Sequence, residues 1–119
     1  MDQSKEMAKL AYAALSEKKG GDIKIIDIHE VSVMADYFII ADGSNLNQVQ
    51  AMADNVEEKM AEAGYQVRQT EGYQSANWIL LDYGDVIVHV FHEETRNFYS
   101  LERLWSDGEL LNVSSLLDA

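Results

Sequence analysis

Cysteine is absent from the 119 residues, so neither a disulfide framework nor a thiolate zinc site can form. Basic residues are scarce: nine Lys and Arg stand against 21 Asp and Glu, a formal net charge of −12. Phosphate backbones are held by Lys and Arg, so direct DNA or RNA binding is disfavoured. No stretch approaches the ~20 apolar residues that a membrane helix needs. The N-terminal run MDQSKEMAKLAYAAL lacks a basic segment followed by a long apolar one, so no secretory signal is expected. A cytoplasmic location follows as the expectation. Neither cofactor nor metal is expected, and no membrane partner.

The acid excess has a positive implication as well. Complementary potential speeds encounter and selects partners, so a surface of this sign suits a basic protein. The length is enough for one domain to bury a core without staples. The expected division is a single domain over residues 1–106 and an acidic C-terminal tail over 107–119.

Periodicity sets the order of elements. Met7, Leu10, Ala11, Ala14 and Leu15 repeat at helical spacing and predict a helix over 3–19, stopped by Gly20-Gly21. DIKIIDI (22–28) predicts a strand with Ile23 and Ile25 on one face and Ile26 and Ile28 on the other. A linking segment, 29–35, leads to a second strand, DYFIIA (36–41), and a turn cluster at 42–45. Val49, Met52, Val56, Met60 and Ala63 mark the buried stripe of a long helix over 47–63, closed by Gly64. A third strand is expected over 65–70, then a loop over 71–76. The order predicts an α+β fold with a mixed sheet of about five strands covered by helices.

The densest stretch is WILLDYGDVIVHVFHEETRNFYSLERLW (78–105). It predicts strands over 77–83 and 85–92 joined by a tight turn at Tyr83-Gly84, with glycine at the second central position. That register pairs Asp82 with Asp85, Leu80 with Ile87 and Trp78 with His89. The opposite face, Ile79, Leu81, Val86, Val88 and Val90, is aliphatic and is the expected core face. The mixed face sets two carboxylates against each other, a costly arrangement for the fold alone, beside the apolar anchor Trp78. A helix is expected over 93–105, in which Arg96, Tyr99, Glu102 and Trp105 share one stripe and fix it to the sheet.

Few constellations carry chemistry. Gly43-Ser44 ahead of a helix, with Asp82 and Asp85 later, invites a metal-dependent nucleotidyltransferase reading. However, no Lys or Arg lies in 42–50 to hold phosphates, and a full P-loop is absent. His89, His92 and Glu93 fall short of a zinc signature, because residues 89 and 92 of one strand point to opposite faces. No catalytic residues are assigned.

The runs ADYFIIADG (35–43), NQVQAMADNVEEKM (47–60), EGYQSANWILLDYGDVIVHVF (71–91) and RNFYSLERLW (96–105) closely resemble the Iojap-related ribosomal silencing factors. The resemblance implies a nucleotidyltransferase-like fold without that activity. It further implies a binding protein that docks on large-subunit ribosomal protein fourteen and keeps the two ribosomal subunits apart. Translation is thereby repressed, with a further role in large-subunit assembly. Many relatives carry Thr-Gly-Asn-Ser-x-Arg-Gln after the second strand; here Asp42 replaces the Thr and Asn47 the Arg, so that loop lacks its basic group. Carried onto this chain, the expected partner-binding set is Trp78, Leu80, Asp82, Tyr83 and Asp85, with His89 supporting. Exposure of that face in the free protein also predicts a homodimer.

Overall fold

The computed structural model describes residues 2–28, 35–95 and 109–110. Helix α1 spans Asp2–Glu17, β1 Gly21–Asp27, β2 Tyr37–Gly43, α2 Leu46–Glu62, β3 Gln69–Glu71, β4 Trp78–Asp82, β5 Val86–His92 and β6 Glu109–Leu110. The strands form one sheet in the order β3-β4-β5-β2-β1-β6. β2 and β5 pair in parallel, and the other neighbours are antiparallel. This is the mixed α+β sheet expected, with the five anticipated strands and a two-residue sixth. That sixth strand lies within 107–119, the expected acidic tail, and sets Leu110 opposite Ile26.

Apolar alternation on the strands feeds two separate clusters. Ile25, Ile39, Ala41, Ile79, Leu81, Val86, Val88 and Val90 meet Ala8, Ala11 and Leu15 of α1 and Val49, Met52, Val56 and Met60 of α2. At roughly 1.5–3 kcal/mol for each fully buried aliphatic side chain, this layer is the main source of stability. The intervening residues, Ile26, Ile28, Phe38, Ile40 and Phe91, form a second cluster on the opposite face, with Trp78 and Ile87 packed against it. Both described helices therefore lie on one side of the sheet, and the candidate surface belongs to the other.

The helix ends depend on contacts that periodicity does not carry. α1 stops at Glu17, and Lys19 takes a left-handed φ of 60° ahead of the glycine pair. The carbonyls of Lys18 and Lys19 accept from Gln48 Nε2 at 3.1 Å each, so α2 caps the end of α1. At the start of α2, Asn45 Oδ1 accepts the Gln48 amide at 2.8 Å, a favourable N-cap. The third strand is shorter than expected and begins later. Residues 65–68 instead lead into it, with Tyr65 and Val67 packed on the helix-side core and the Tyr65 hydroxyl donating to Glu6. Residues 93–95 are helical, and the rest of the helix expected there, with Arg96, Tyr99, Glu102 and Trp105, lies outside the described residues, as do 29–34 of the linking segment.

Asn55 is the polar rivet between the helices. It is buried on α2, and its Nδ2 donates to the Ala14 carbonyl of α1 at 2.8 Å and to Glu17 Oε1 at 3.3 Å. Asn55→Ala removes the donor and leaves a buried carbonyl without it, which costs about 1–3 kcal/mol. Urea unfolding should show that loss with an unchanged slope; a loss below about 0.5 kcal/mol would mean that water substitutes freely there.

Candidate functional site

The hairpin folds at a different place from the one its sequence suggests. Tyr83 N–H donates to the Val86 carbonyl at 2.9 Å, so the two central turn residues are Gly84 and Asp85. Gly84 has φ 88° at the first central position, as a type II′ turn requires. A Cβ there would also lie 2.6 Å from the Arg68 guanidinium carbon. The pairing becomes Trp78 with Phe91, Leu80 with His89 and Asp82 with Ile87. Burial of the Tyr83 ring accounts for the shift: placed just before the turn, Tyr83 joins the helix-side core, which a central turn position would forgo. The displacement is two residues, so every side chain keeps its expected face; a displacement of one would have reversed them all.

This register dissolves the opposed carboxylates. Asp82 Oδ1 accepts the Gly84 amide at 2.7 Å and shapes the turn, a structural role. Asp85 is exposed at the tip, and its carbonyl accepts the Asp36 and Tyr37 amides at 2.7 and 3.2 Å. The opposed pair expected from the sequence, and its cost to the fold, are therefore absent.

The six expected contact residues separate into three places. Trp78 and Leu80 are half-buried on the sheet face opposite the helices. Asp82 and Asp85 lie at the far end of the hairpin, roughly 13 Å from Trp78 along β4. Tyr83 is 5 % exposed and faces the helices, where its hydroxyl has no partner among the described residues. Burial, and then Glu57, pushes that hydroxyl far above its ordinary pKa. His89 is 4 % exposed and lies beneath Trp78. The Trp78 indole donates through Nε1 to His89 Nδ1 at 3.0 Å. Trp78 also packs on Phe91 with ring centroids 4.9 Å apart, and His89 meets Phe38 edge-on at 4.8 Å.

The acidic end of the sheet is larger than the hairpin alone suggests. Asp27 of β1 is opposite Tyr37, and Asp36 precedes it. Burial first, then Asp27 and Asp36, raise the Tyr37 pKa, which reports a negative local field. Asp27, Asp36, Asp82 and Asp85 thus mark one end. Asp27 and Asp36 were missed because no spacing rule joins residues brought together by pairing of β1, β2 and β5.

The geometry does not assemble a nucleotidyltransferase centre. Gly43 is opposite His92 on β5, whereas Asp82 is opposite Ile87, about 17 Å back along the strand. The Ser44 amide and hydroxyl both donate to Gln48 Oε1, at 2.7 and 3.0 Å, so the loop's donors are already engaged. Among the described residues, no group of three or more His, Asp or Glu is placed to hold a metal.

Burial holds the His89 ring down at about pKa 4 from its ordinary 6.5. The unfolded chain takes up this proton as pH falls below ~6.5, and the native state does so only near 4. Stability from this group is thus complete above the unfolded value and is lost as pH falls through that window. Between about pH 7 and pH 5 the loss approaches roughly 2 kcal/mol. Urea titrations at both pH values should show a smaller loss for His89→Phe than for the unchanged protein; equal losses would place the acid sensitivity elsewhere.

Comparison with known proteins agrees with this architecture. The family described as "Ribosomal silencing factor during starvation" matches residues 1–118. The chain is 43% identical over 109 residues to ribosomal silencing factor RsfS of Bacillus subtilis, covering 92% of each. It is 32% identical over 103 residues to the chloroplastic protein Iojap of Arabidopsis thaliana, covering 87% of this chain and 41% of that one. A crystal structure of a Chromobacterium violaceum protein superposes with a TM-score of 0.83 at 40% identity, covering 85% of this chain and 84% of that one. With its sheet, its helix layer and nearly its whole length matched, the chain belongs to the ribosomal silencing factor family, of which the Iojap proteins are relatives.

Proposed function

We propose that this protein represses translation from the cytoplasm by binding the large ribosomal subunit through large-subunit protein fourteen and sterically preventing subunit joining. Family membership over residues 1–118 is the observation that carries this reading. The net charge of −12 supports a basic partner. Its contact surface is the sheet face opposite the helices, anchored by Trp78 and Leu80, with Asp82 and Asp85 at the acidic end and Asp27 and Asp36 beside them. Tyr83 and His89 support it from within. The separation of anchor and acids is compatible with one partner, because a typical interface covers about 800 Å² per side, roughly 30 Å across. The same face would pair two copies when no ribosome is present. Family descriptions name a regulator, and the separation of the Gly43-Ser44 loop from Asp82 and Asp85 favours that over catalysis.

Purified protein should co-sediment with isolated large subunits and slow their association with small ones. Normal joining at saturating protein would sink the proposal. Trp78→Ala should weaken large-subunit binding by at least ~2 kcal/mol, the scale of an aromatic hot spot. Its packing on Phe91 means that the substitution also lowers stability, so binding is to be compared at a temperature where both proteins are folded.

A further inference from the structure

His89 presents a physical puzzle. Its Nδ1 accepts from an indole N–H, which can only donate, so the neutral ring carries its proton on Nε2. That N–H is buried and has no hydrogen-bond partner among the described residues. A buried unsatisfied donor is costly, and a Phe at the same place would fill the aromatic cluster without it. The packing also leaves His89 little access to a partner, since it lies between Leu80 and Ile40 on the neighbouring strands and against the rings of Phe38 and Phe91. Phe cannot supply one thing: an acceptor for the indole of the neighbouring, half-buried Trp78.

That acceptor fixes a specific degree of freedom. Trp78 and His89 are diagonal neighbours across β4 and β5, close enough for ring contact. The 3.0 Å hydrogen bond is directional and engages one edge of the indole, which the tilted ring contact with Phe91 does not do.

We infer that His89 is a positioning residue, whose bare Nδ1 holds the Trp78 indole in the orientation in which it meets the large subunit, without touching that subunit itself. The inference rests on the contact surface proposed above and assigns a cause to its anchor. Preorganisation of this kind lowers the ordering cost of binding. The low pKa of the ring keeps Nδ1 bare at neutral pH, in agreement with this role.

A double-mutant cycle on the full chain tests it. Affinity for isolated large subunits is measured for the unchanged protein, His89→Phe, Trp78→Phe and the pair, with His89→Asn as the conservative rescue. His89→Phe should bind about three- to tenfold more weakly, the range of one hydrogen bond. His89→Asn, whose Oδ1 takes the place of Nδ1, should recover most of that loss. In the Trp78→Phe background, which has no indole N–H, His89→Phe should add nothing. The indole N–H resonance absent from Trp78→Phe should exchange slowly with solvent in the unchanged and His89→Asn proteins and rapidly in His89→Phe. Equal binding by His89→Phe, or losses that add independently, would overturn the role of His89 while Trp78→Ala still binds weakly. Normal binding by Trp78→Ala would instead remove the contact surface, and this role with it. Should His89→Phe fail to fold, His89→Leu supplies the same loss of acceptor.

Discussion

β5 is the constraint on which the rest depends. It is sandwiched between β2 in parallel and β4 in antiparallel register, and of its residues only Ile87 and His92 are half-buried rather than buried. A strand in that position has every backbone group committed to neighbours and can carry few polar side chains, hence the nearly unbroken run Val86–Phe91. Val86, Val88 and Val90 turn to the helices, and Ile87, His89 and Phe91 turn away from them. The single polar member of the run, His89, is accommodated because an indole N–H satisfies one nitrogen.

The division into faces assigns separate tasks to the two sides of the sheet. The helix side is a conventional packed layer, tied by Asn55 across the helices and by Gln48 at the ends of both. The same Gln48 accepts the Ser44 donors that a phosphate would require, so the loop after β2 serves as a joint between α1, β2 and α2. The other side holds the aromatic group Trp78, His89, Phe91 and Phe38, with acidic side chains at one end of the sheet. An apolar anchor with acids roughly 13 Å away matches a protein that meets a basic partner over a broad area.

Much of this could be read in the sequence, and the parts that could not share a cause. Helical spacing identified Val49, Met52, Val56 and Met60 as the buried stripe of α2, although Ala63 is exposed past the helix end, and alternation separated Ile79 and Leu81 from Trp78 and Leu80. Both are local periodicities set by backbone geometry. The expected turn at Tyr83-Gly84 would need a left-handed φ at Tyr83 as well as at the glycine, whereas Gly84-Asp85 needs it only at Gly84; that turn chemistry and burial of the Tyr83 ring both favour the observed turn. The third strand was misplaced because residues 65–68 pack as an approach to the sheet despite a suitable composition.

The sequence by itself determined the element order, the two chemically distinct faces of the hairpin and, through long matched runs, the family. These depend on residue type at fixed local spacing, which any fold must respect. Only the tertiary structure decided which carboxylates are neighbours, that Tyr83 and His89 lie inside, and that Trp78 is held by a hydrogen bond. Those facts depend on strand register and on neighbouring strands distant in the chain. A shift of two residues leaves every face unchanged and yet gives each side chain a new partner.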